Sequence, residues 1–486
     1  MKGAESYWLT RLLIQRALAF IYLIAFLIAA EQFVPLAGQH GILPISLFLK
    51  YSRFWDAPSL FFFVSSDIFI HGLACAGVVL SMMALTGFSE RFGTFFSSGI
   101  WTLLWIFYMS FVNAGQVFYG FGWEMLLLET GFLAIFLGNA RSKPPAAVIW
   151  LYRWILFRLM FGAGMIKIRG DQCWRDLTCM DYHYETQPLP NPLSWYLHHL
   201  PQGWHKLEVF GTHVIELVMP FAYFIPGAVG VLAGLAAILF HIFLILSGNL
   251  SWLNYITIAV AFSCLNDRAI SKIVRIQTPP INPPGFLRKG ILTAVTGLIL
   301  FLSITPARNL LSSRQLMNAS FDPLHLVNTY GAFGSITRQR REVVLEGTRD
   351  FRPGPETVWK EYEFKCKPGN VRRAPCIVSP YHYKLDWQMW FAAMSSYRYH
   401  PWILSLAGKL LENDPQTLGL IAGNPFPGEA PRWIRASWYE YHFTTPEERR
   451  KTGAWWVRKK AGDYLPPLSL SSPPFQMILR RLGFTG

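Results

Sequence analysis

The sequence predicts a multi-pass α-helical membrane bundle of about nine spans, followed by a C-terminal soluble α+β domain. Three observations predict it. Only 15% of the 486 residues are charged while 52% are hydrophobic, against roughly a quarter charged in an ordinary soluble chain. The apolar residues gather in runs near the length of a membrane span, about 17 to 25 residues. Those runs stop near residue 306. Residues 1–306 carry 19 Lys/Arg against 14 Asp/Glu, and residues 307–486 carry 25 against 15. A disordered chain is excluded by 16% aromatic residues, and six cysteines are too sparse for a disulfide scaffold.

Taken in order, the predicted spans are 12–30, 67–86, 99–119, 122–138, 147–166, 209–225, 229–247, 251–265 and 290–305, the eighth and ninth being short. Lys2, Arg11 and Arg16 precede the first apolar run like a signal peptide. Ile28-Ala29-Ala30 lacks the small residue expected three positions before a cut, so the first span is read as uncleaved. Arg141 and Lys143 share one short loop; Arg268, Lys272, Arg275, Arg288 and Lys289 share another with Asp267. With nine spans both loops lie on the side of the N-terminus, which the positive-inside rule makes cytoplasmic. Segments 31–59, 167–208 and everything after 306 then face outward. The net charge of +15 thus falls mostly on an outward region, which argues against nucleic acid as a partner and for membrane lipid or an acidic protein.

Ionisable groups inside spans are candidates for function. Glu124 and Glu129 lie in the fourth span, Arg153 and Arg158 in the fifth. If those helices run antiparallel the acids face the bases, either as structural ion pairs or as a polar cavity. His213 and Glu216 stand three residues apart in the sixth span, on one helical face, and His241 lies in the seventh. A His beside a carboxylate can act as a general base; bundle hydrogen bonding is the plainer reading. Gly230 and Gly234 form a small-xxx-small pair for close helix packing.

Segment 167–208 reads as an ordered interfacial cap. Pro188, Pro190 and Pro192 exclude a continuous helix, and Trp174, Trp195 and Trp204 suit the headgroup level. His183, His198, His199 and His205 fit no zinc spacing, so neither a metal nor a cofactor is expected. Cys173 and Cys179 lie in this segment, and Cys366 and Cys376 in the outward domain. Each set is read as a local disulfide, with unpaired thiols as the alternative. Neither has the C-x-x-C spacing of a redox motif.

The region 307–445 reads as a compact α+β domain. Strand-like text runs through 342–347 and 359–366, and helical text through 384–397 and 402–411. Trp359, Tyr383, Trp387, Trp390 and Phe391 are the candidates for an aromatic binding surface. Residues 446–486, with Arg449, Arg450, Lys451, Arg458, Lys459 and Lys460, read as a basic tail suited to anionic lipid.

Several long strings carry a resemblance. They are GQHGILP (38–44), FGWEMLLLETGFLAIFL (121–137), CWRDLTCMDYHYETQPLPNPLSWYLHHLP (173–201), LSGNLSWLNYIT (246–257), LVNTYGAFGSITRQRREVVLEGT (326–348), PYHYKLDWQMWFAAMS (380–395), LLENDP (410–415) and GNPFP (423–427). In these the chain resembles the lipase maturation factors, multi-pass proteins of eukaryotic ER membranes with bacterial relatives. The resemblance implies a non-enzymatic role, helping newly made lipases reach a folded, active dimer. It also implies a client-binding role for the C-terminal region, matched here through 326–348 and 380–395. The bundle is similar in architecture to vitamin K-dependent carboxylase-type proteins, which keeps a membrane enzyme acting on lipid or peptide as the alternative. The resemblance implies no catalytic residue at any position. It places the chain in the ER membrane in a eukaryote or the inner membrane in a bacterium.

Overall fold

The protein is described by a computed structural model covering residues 6–273, 276 and 279–483; Lys2, Arg275 and residues 484–486 lie outside the described residues. In chain order the bundle comprises α1 (Trp8–Ala37), α2 (Asp67–Thr86), α3 (Thr94–Ala114), α4 (Gly122–Ala134), α5 (Ala146–Arg169), α6 (Gln202–His213), α7 (Ala228–Ser247), α8 (Leu253–Ala261) and α9 (Phe286–Leu302). Six of these are long and apolar enough to cross a membrane: α1, α2, α3, α5, α7, and α9 with its continuation to Leu311. The other three are shorter. α6 runs on through a π-helical turn, Val214–Val218, into Met219–Ala222.

Hydrogen bonds between loops define two ends. At one end, Asp267 accepts from the backbone N–H of Trp8 at 2.8 Å and of Leu9 at 2.7 Å, and Glu90 pairs with both Arg11 and Arg16. Gln15 donates to the Gly138 carbonyl there at 2.9 Å. At the other end, Gln116 donates to Leu43 O (3.0 Å), Gln32 to His382 O (2.9 Å), and Asn249 to Leu189 O (3.1 Å) and Cys376 O (2.9 Å). The cap and the C-terminal region therefore share one end of the bundle. Within the cap the short helices are Gln172–Arg175, Met180–Thr186 and Pro192–His198; Pro188 and Pro190 separate the last two, and Pro192 opens the third at its first position, where its fixed φ is tolerated.

The C-terminal region holds a four-stranded antiparallel sheet, order β2-β1-β3-β4, made of β1 (Arg340–Thr348), β2 (Lys360–Glu361), β3 (Trp433–Phe443) and β4 (Trp456–Leu468). Helices α10 (Lys384–Ala393) and α11 (Trp402–Leu411) pack on it. The text at 359–366 yields only β2 and a second short strand, Glu363–Phe364, which pairs with Ile421–Gly423. The stretch read as a basic tail is folded up to residue 483: α12 (Pro446–Thr452), then edge strand β4, then α13 (Pro473–Arg481) with Phe475 and Leu479 buried. Pairing with β3 sets Lys459 opposite Glu440, and Arg458 meets Glu361 at 2.6 Å. Cross-strand acids thus answer charges that look unmatched along the chain.

Two glycines let the chain beyond 306 lie directly on α5. A Cβ at Gly162 would stand 2.6 Å from the Tyr330 carbonyl oxygen, and one at Gly170 would collide with that of Gly334.

Arg340 fastens sheet to cap. Its buried guanidinium donates to the carbonyls of Glu185 (3.0 Å), Gln187 (2.5 Å) and Pro188 (2.9 Å) and pairs with Glu342 at 2.6 Å. No single ammonium reproduces that fork. Arg340→Leu strands Glu342 beside Lys367 (3.0 Å) as its one remaining cation and should lower stability by about 3–5 kcal/mol. Arg340→Lys should recover only part of the loss, read by thermal unfolding of the purified protein.

Candidate functional site

Two buried carboxylates on α4 organise the junction between bundle and C-terminal region. Glu129 pairs with Arg158 of α5, as the antiparallel reading expects. It also accepts from the Asn328 backbone N–H (3.1 Å), the Asn328 side chain (3.0 Å) and the Tyr330 hydroxyl (2.6 Å), while Arg158 donates to Asn328 O at 2.5 Å. Glu124 does not meet Arg153. It pairs with Lys384 of α10 at 2.7 Å and accepts from the Tyr108 hydroxyl; both members of the ion pair are fully buried. Arg153 instead donates to Ser263 O (2.9 Å), Tyr223 O (3.2 Å) and the Tyr7 hydroxyl (3.3 Å). The cause is geometric: Lys384 reaches Glu124 from outside the bundle, and Arg153 faces unpaired carbonyls at a helix end.

An aromatic layer surrounds Lys384. Its ammonium lies 3.6 Å from the centre of the Tyr119 ring, and Phe121, Trp123, Trp252 and Trp387 enclose His382 two residues earlier. Burial pushes the Lys384 ammonium down from its usual value, opposed by Glu124, and pushes His382 well below its own. The aromatic residues expected as an exposed surface are largely taken up here. Trp387 is buried against Trp123 (5.0 Å between ring centres), Trp390 donates to Thr186 O at 3.1 Å, and Phe391 packs toward Phe121. Tyr383 is half-buried beside Lys365, and Trp359 lies apart under Arg435.

His213 and Glu216 do not form an acid–base pair. The π-turn that begins at Val214 widens the helix. Glu216 is bound by Lys167 of α5 at 2.5 and 2.7 Å, while His213 Nε2 stands 2.9 Å from Trp174 O. His241 is placed by Asn254 (3.0 Å) and Met160 Sδ (3.3 Å). In the cap, His205 meets Asp181 at 3.1 Å, His199 meets Trp195 O at 2.7 Å, and His198 lies 3.8 Å from Glu185. Among the described residues no cluster of three or more His, Cys, Asp or Glu could hold a metal ion.

Between these groups lie two chambers that sequence reasoning could not locate. One, of about 230 Å³, has the Lys167–Glu216 pair, His183, Glu208 and His241 among apolar side chains of α5, α7 and α8. The second, of about 420 Å³, is bounded by α10, the 120–123 turn and the 330–337 segment. They share Leu159, Ala163, His183, Leu250, Leu253 and Phe333. That loop is pinned by Trp174, which donates to Phe333 O at 2.8 Å, and by Asp171, whose N–H donates to Gly334 O at 2.8 Å. The Arg338 guanidinium bonded to Asp171 holds that carboxyl down to about 2.

Residues 9–272 match the lipase maturation factor transmembrane domain, and residues 326–466 match the lipase maturation factor C-terminal domain. Lipase maturation factor 1 of Bos taurus is 44% identical, over 96% of this chain and 90% of that protein. The chain belongs to the lipase maturation factor family. Lipase maturation factor 1 of Homo sapiens is likewise 44% identical, over 96% of this chain and 88% of that protein, and lipase maturation factor 2 of Homo sapiens is 29% identical over 98% and 85%. No solved structure matches the chain.

In this lipase maturation factor both close cysteine sets are disulfide-bonded, Cys173–Cys179 and Cys366–Cys376, while Cys75 and Cys264 are free thiols. Asp386 of α10 accepts from the backbone N–H of Cys366 (2.6 Å) and Lys367 (2.9 Å). The second disulfide loop is thereby tied to the helix that also carries Lys384.

Glu124→Leu or Lys384→Met alone leaves its partner buried and unmatched, and each should cost about 3–5 kcal/mol. The double variant should fall well short of the sum, since a contact pair couples; a thermal-unfolding cycle measures it. Burial pushes His183 from its ordinary 6.5 down to about 4. The unfolded chain therefore takes up this proton first, and stability contributed by the neutral ring is lost as pH falls from 6.5 toward 4. His183→Leu should remove that part of the acid-side decline in melting temperature.

Proposed function

We propose that the chain is a membrane-anchored maturation factor that assists exported lipases in folding and pairing into active dimers. The observation that carries this reading is 44% identity to lipase maturation factor 1 proteins across 96% of the chain. The arrangement of His213, Glu216 and His241 favours no enzymatic alternative, because each is engaged by a structural partner.

We place the N-terminus in the cytoplasm and the cap and C-terminal domain in the ER lumen, or in the periplasm if the host is bacterial. Supporting this, Arg141, Lys143, Arg268, Lys272, Arg288 and Lys289 gather near the end that holds Ser6 and the start of α1. Both disulfides lie at the opposite end, as an oxidising compartment requires. We further propose nine crossings. The short helices run between the same two ends as the long ones: α4 leads from the 115–121 turn to Gly138, and α8 leads from Trp252 to Leu265, whose carbonyl accepts from Thr10. The π-turn lets α6 do the same.

For the client surface we propose the outer end of the sheet, around Trp359. Phe351 and Val358 are exposed beside it, 74% and 73%, and Trp433 is half-buried nearby. Bare apolar side chains of this size on a folded domain suit a partially folded protein. Membrane lipid is the second partner, met by exposed Trp55, Phe63 and Trp204.

The test is co-expression with a secreted homodimeric lipase in cells lacking their own maturation factor. Wild type should restore secreted lipase activity, and Phe351→Asp with Val358→Asp should reduce it about tenfold or more while leaving the melting temperature unchanged. Failure of the wild-type protein to restore any lipase would overturn the reading; full activity of the double variant would remove this surface from it.

A further inference from the structure

Three neighbouring chambers share lining residues between the surface at 337–341 and the helices α5, α7 and α8. The mouth, about 300 Å³, is bordered by Thr337, Arg338, Gln339, Arg341, Trp390 and Met394. It shares Thr337, Trp390 and Met394 with the 420 Å³ chamber. That chamber in turn shares the wall of Leu159, Ala163 and Leu253 with the inner one of about 230 Å³. Protein interiors are close-packed, with few voids larger than a water molecule. A passage of this size, walled mainly by apolar side chains, has the dimensions of a small-molecule site.

Its chemistry changes along its length. At the mouth Thr337, Arg338, Gln339 and Arg341 are exposed. Arg338 meets Asp171 at 2.8 Å, whereas Arg341 is in no ion pair among the described residues. Farther in, Trp390, Phe391 and Met394 face the passage opposite Leu159 and Ala163 of α5. The inner chamber is mostly apolar, with Phe240, Phe243 and Leu244 of α7, and also holds the Lys167–Glu216 pair and His241, each already engaged by a partner. An occupant therefore has a negative head and one flexible apolar chain. Water is poorly held by apolar walls.

We propose that this passage binds a single-chain anionic lipid, its carboxylate or phosphate head at Arg338 and Arg341 and its acyl chain running past Trp390 and Phe391 toward Leu159 and Leu253. The head gains charge-assisted hydrogen bonds from guanidinium groups, and the chain fills space that the side chains leave open. His183, whose Nδ1 is buried without a hydrogen-bond partner, lines both inner chambers. The site lies outside the proposed client surface and does not depend on the identity of the client.

The experiment uses full-length protein in phosphatidylcholine nanodiscs with a photoactivatable fatty acid carrying a diazirine near its tail, and maps the labelled peptides by mass spectrometry. Labelling is expected at 159–163 and 250–257. It should be suppressed by oleate or by lysophosphatidylglycerol, the stronger competitor identifying the head as carboxylate or phosphate, and not by neutral monoolein. Arg341→Gln should raise the half-saturating concentration about tenfold. Met394→Trp, at the half-exposed mouth, should remove labelling, with melting temperature as the check on folding. The proposal is overturned if labelling is confined to outward-facing α7 positions such as Leu239 and Leu246, if monoolein competes as well as oleate, or if both folded variants label like wild type.

Discussion

A carboxylate inside an apolar bundle needs a cation or several donors, and Glu124 and Glu129 find theirs largely in the chain beyond residue 306. Desolvating two carboxylates is expensive by several kcal/mol per ion. Lys384, Asn328 and Tyr330 offset that cost from outside the bundle. Bundle and C-terminal region are therefore mutually dependent, since each holds a charge or a donor that only the other can satisfy. The aromatic layer of Phe121, Trp123, Trp252 and Trp387 follows from this. It is the dry packing that keeps the Glu124–Lys384 pair away from water.

That dependence shapes the end of the bundle that carries the cap and the C-terminal region. The cap is clamped from one side by Arg340 and from another by Trp195, which donates to Thr444 O at 2.9 Å. Arg449 lies 3.5 Å from the centre of the Trp455 ring and 4.4 Å from that of Trp195, adding a cation–π contact to the same joint. Two disulfides and the Asp386 bonds hold the loops between. The result is a platform joined to the bundle at many points, with the passage enclosed where platform, cap and α5 meet. A maturation factor that holds partly folded lipases gains from such rigidity, because ordering its own loops on binding would consume affinity.

Local patterns were readable where their cause is local. The long helices follow from apolar runs, 402–411 is helical from end to end, and β1 contains the alternating text at 342–347. Both disulfides pair residues no more than 10 apart. Glu129 with Arg158 was readable because neighbouring antiparallel helices bring those positions together. The fold of the basic stretch after 446 was not, because the strand that pairs with β4 and the acid that meets Arg458, Glu361, come from elsewhere in the sequence. Trp387 and Phe391, read as part of a binding surface, are instead covered by the 121–123 turn of the bundle, more than 250 residues away.

The sequence by itself determined that this is a multi-pass membrane protein whose composition changes near residue 306, and the family to which it belongs. Each of these rests on composition or on strings of neighbouring residues along the chain. Tertiary structure alone decided which cation answers Glu124, why His213 and Glu216 part company, and where the chambers lie. Buried charges choose partners by distance in space, and a void exists only between elements once they are packed, so neither leaves a pattern along the chain.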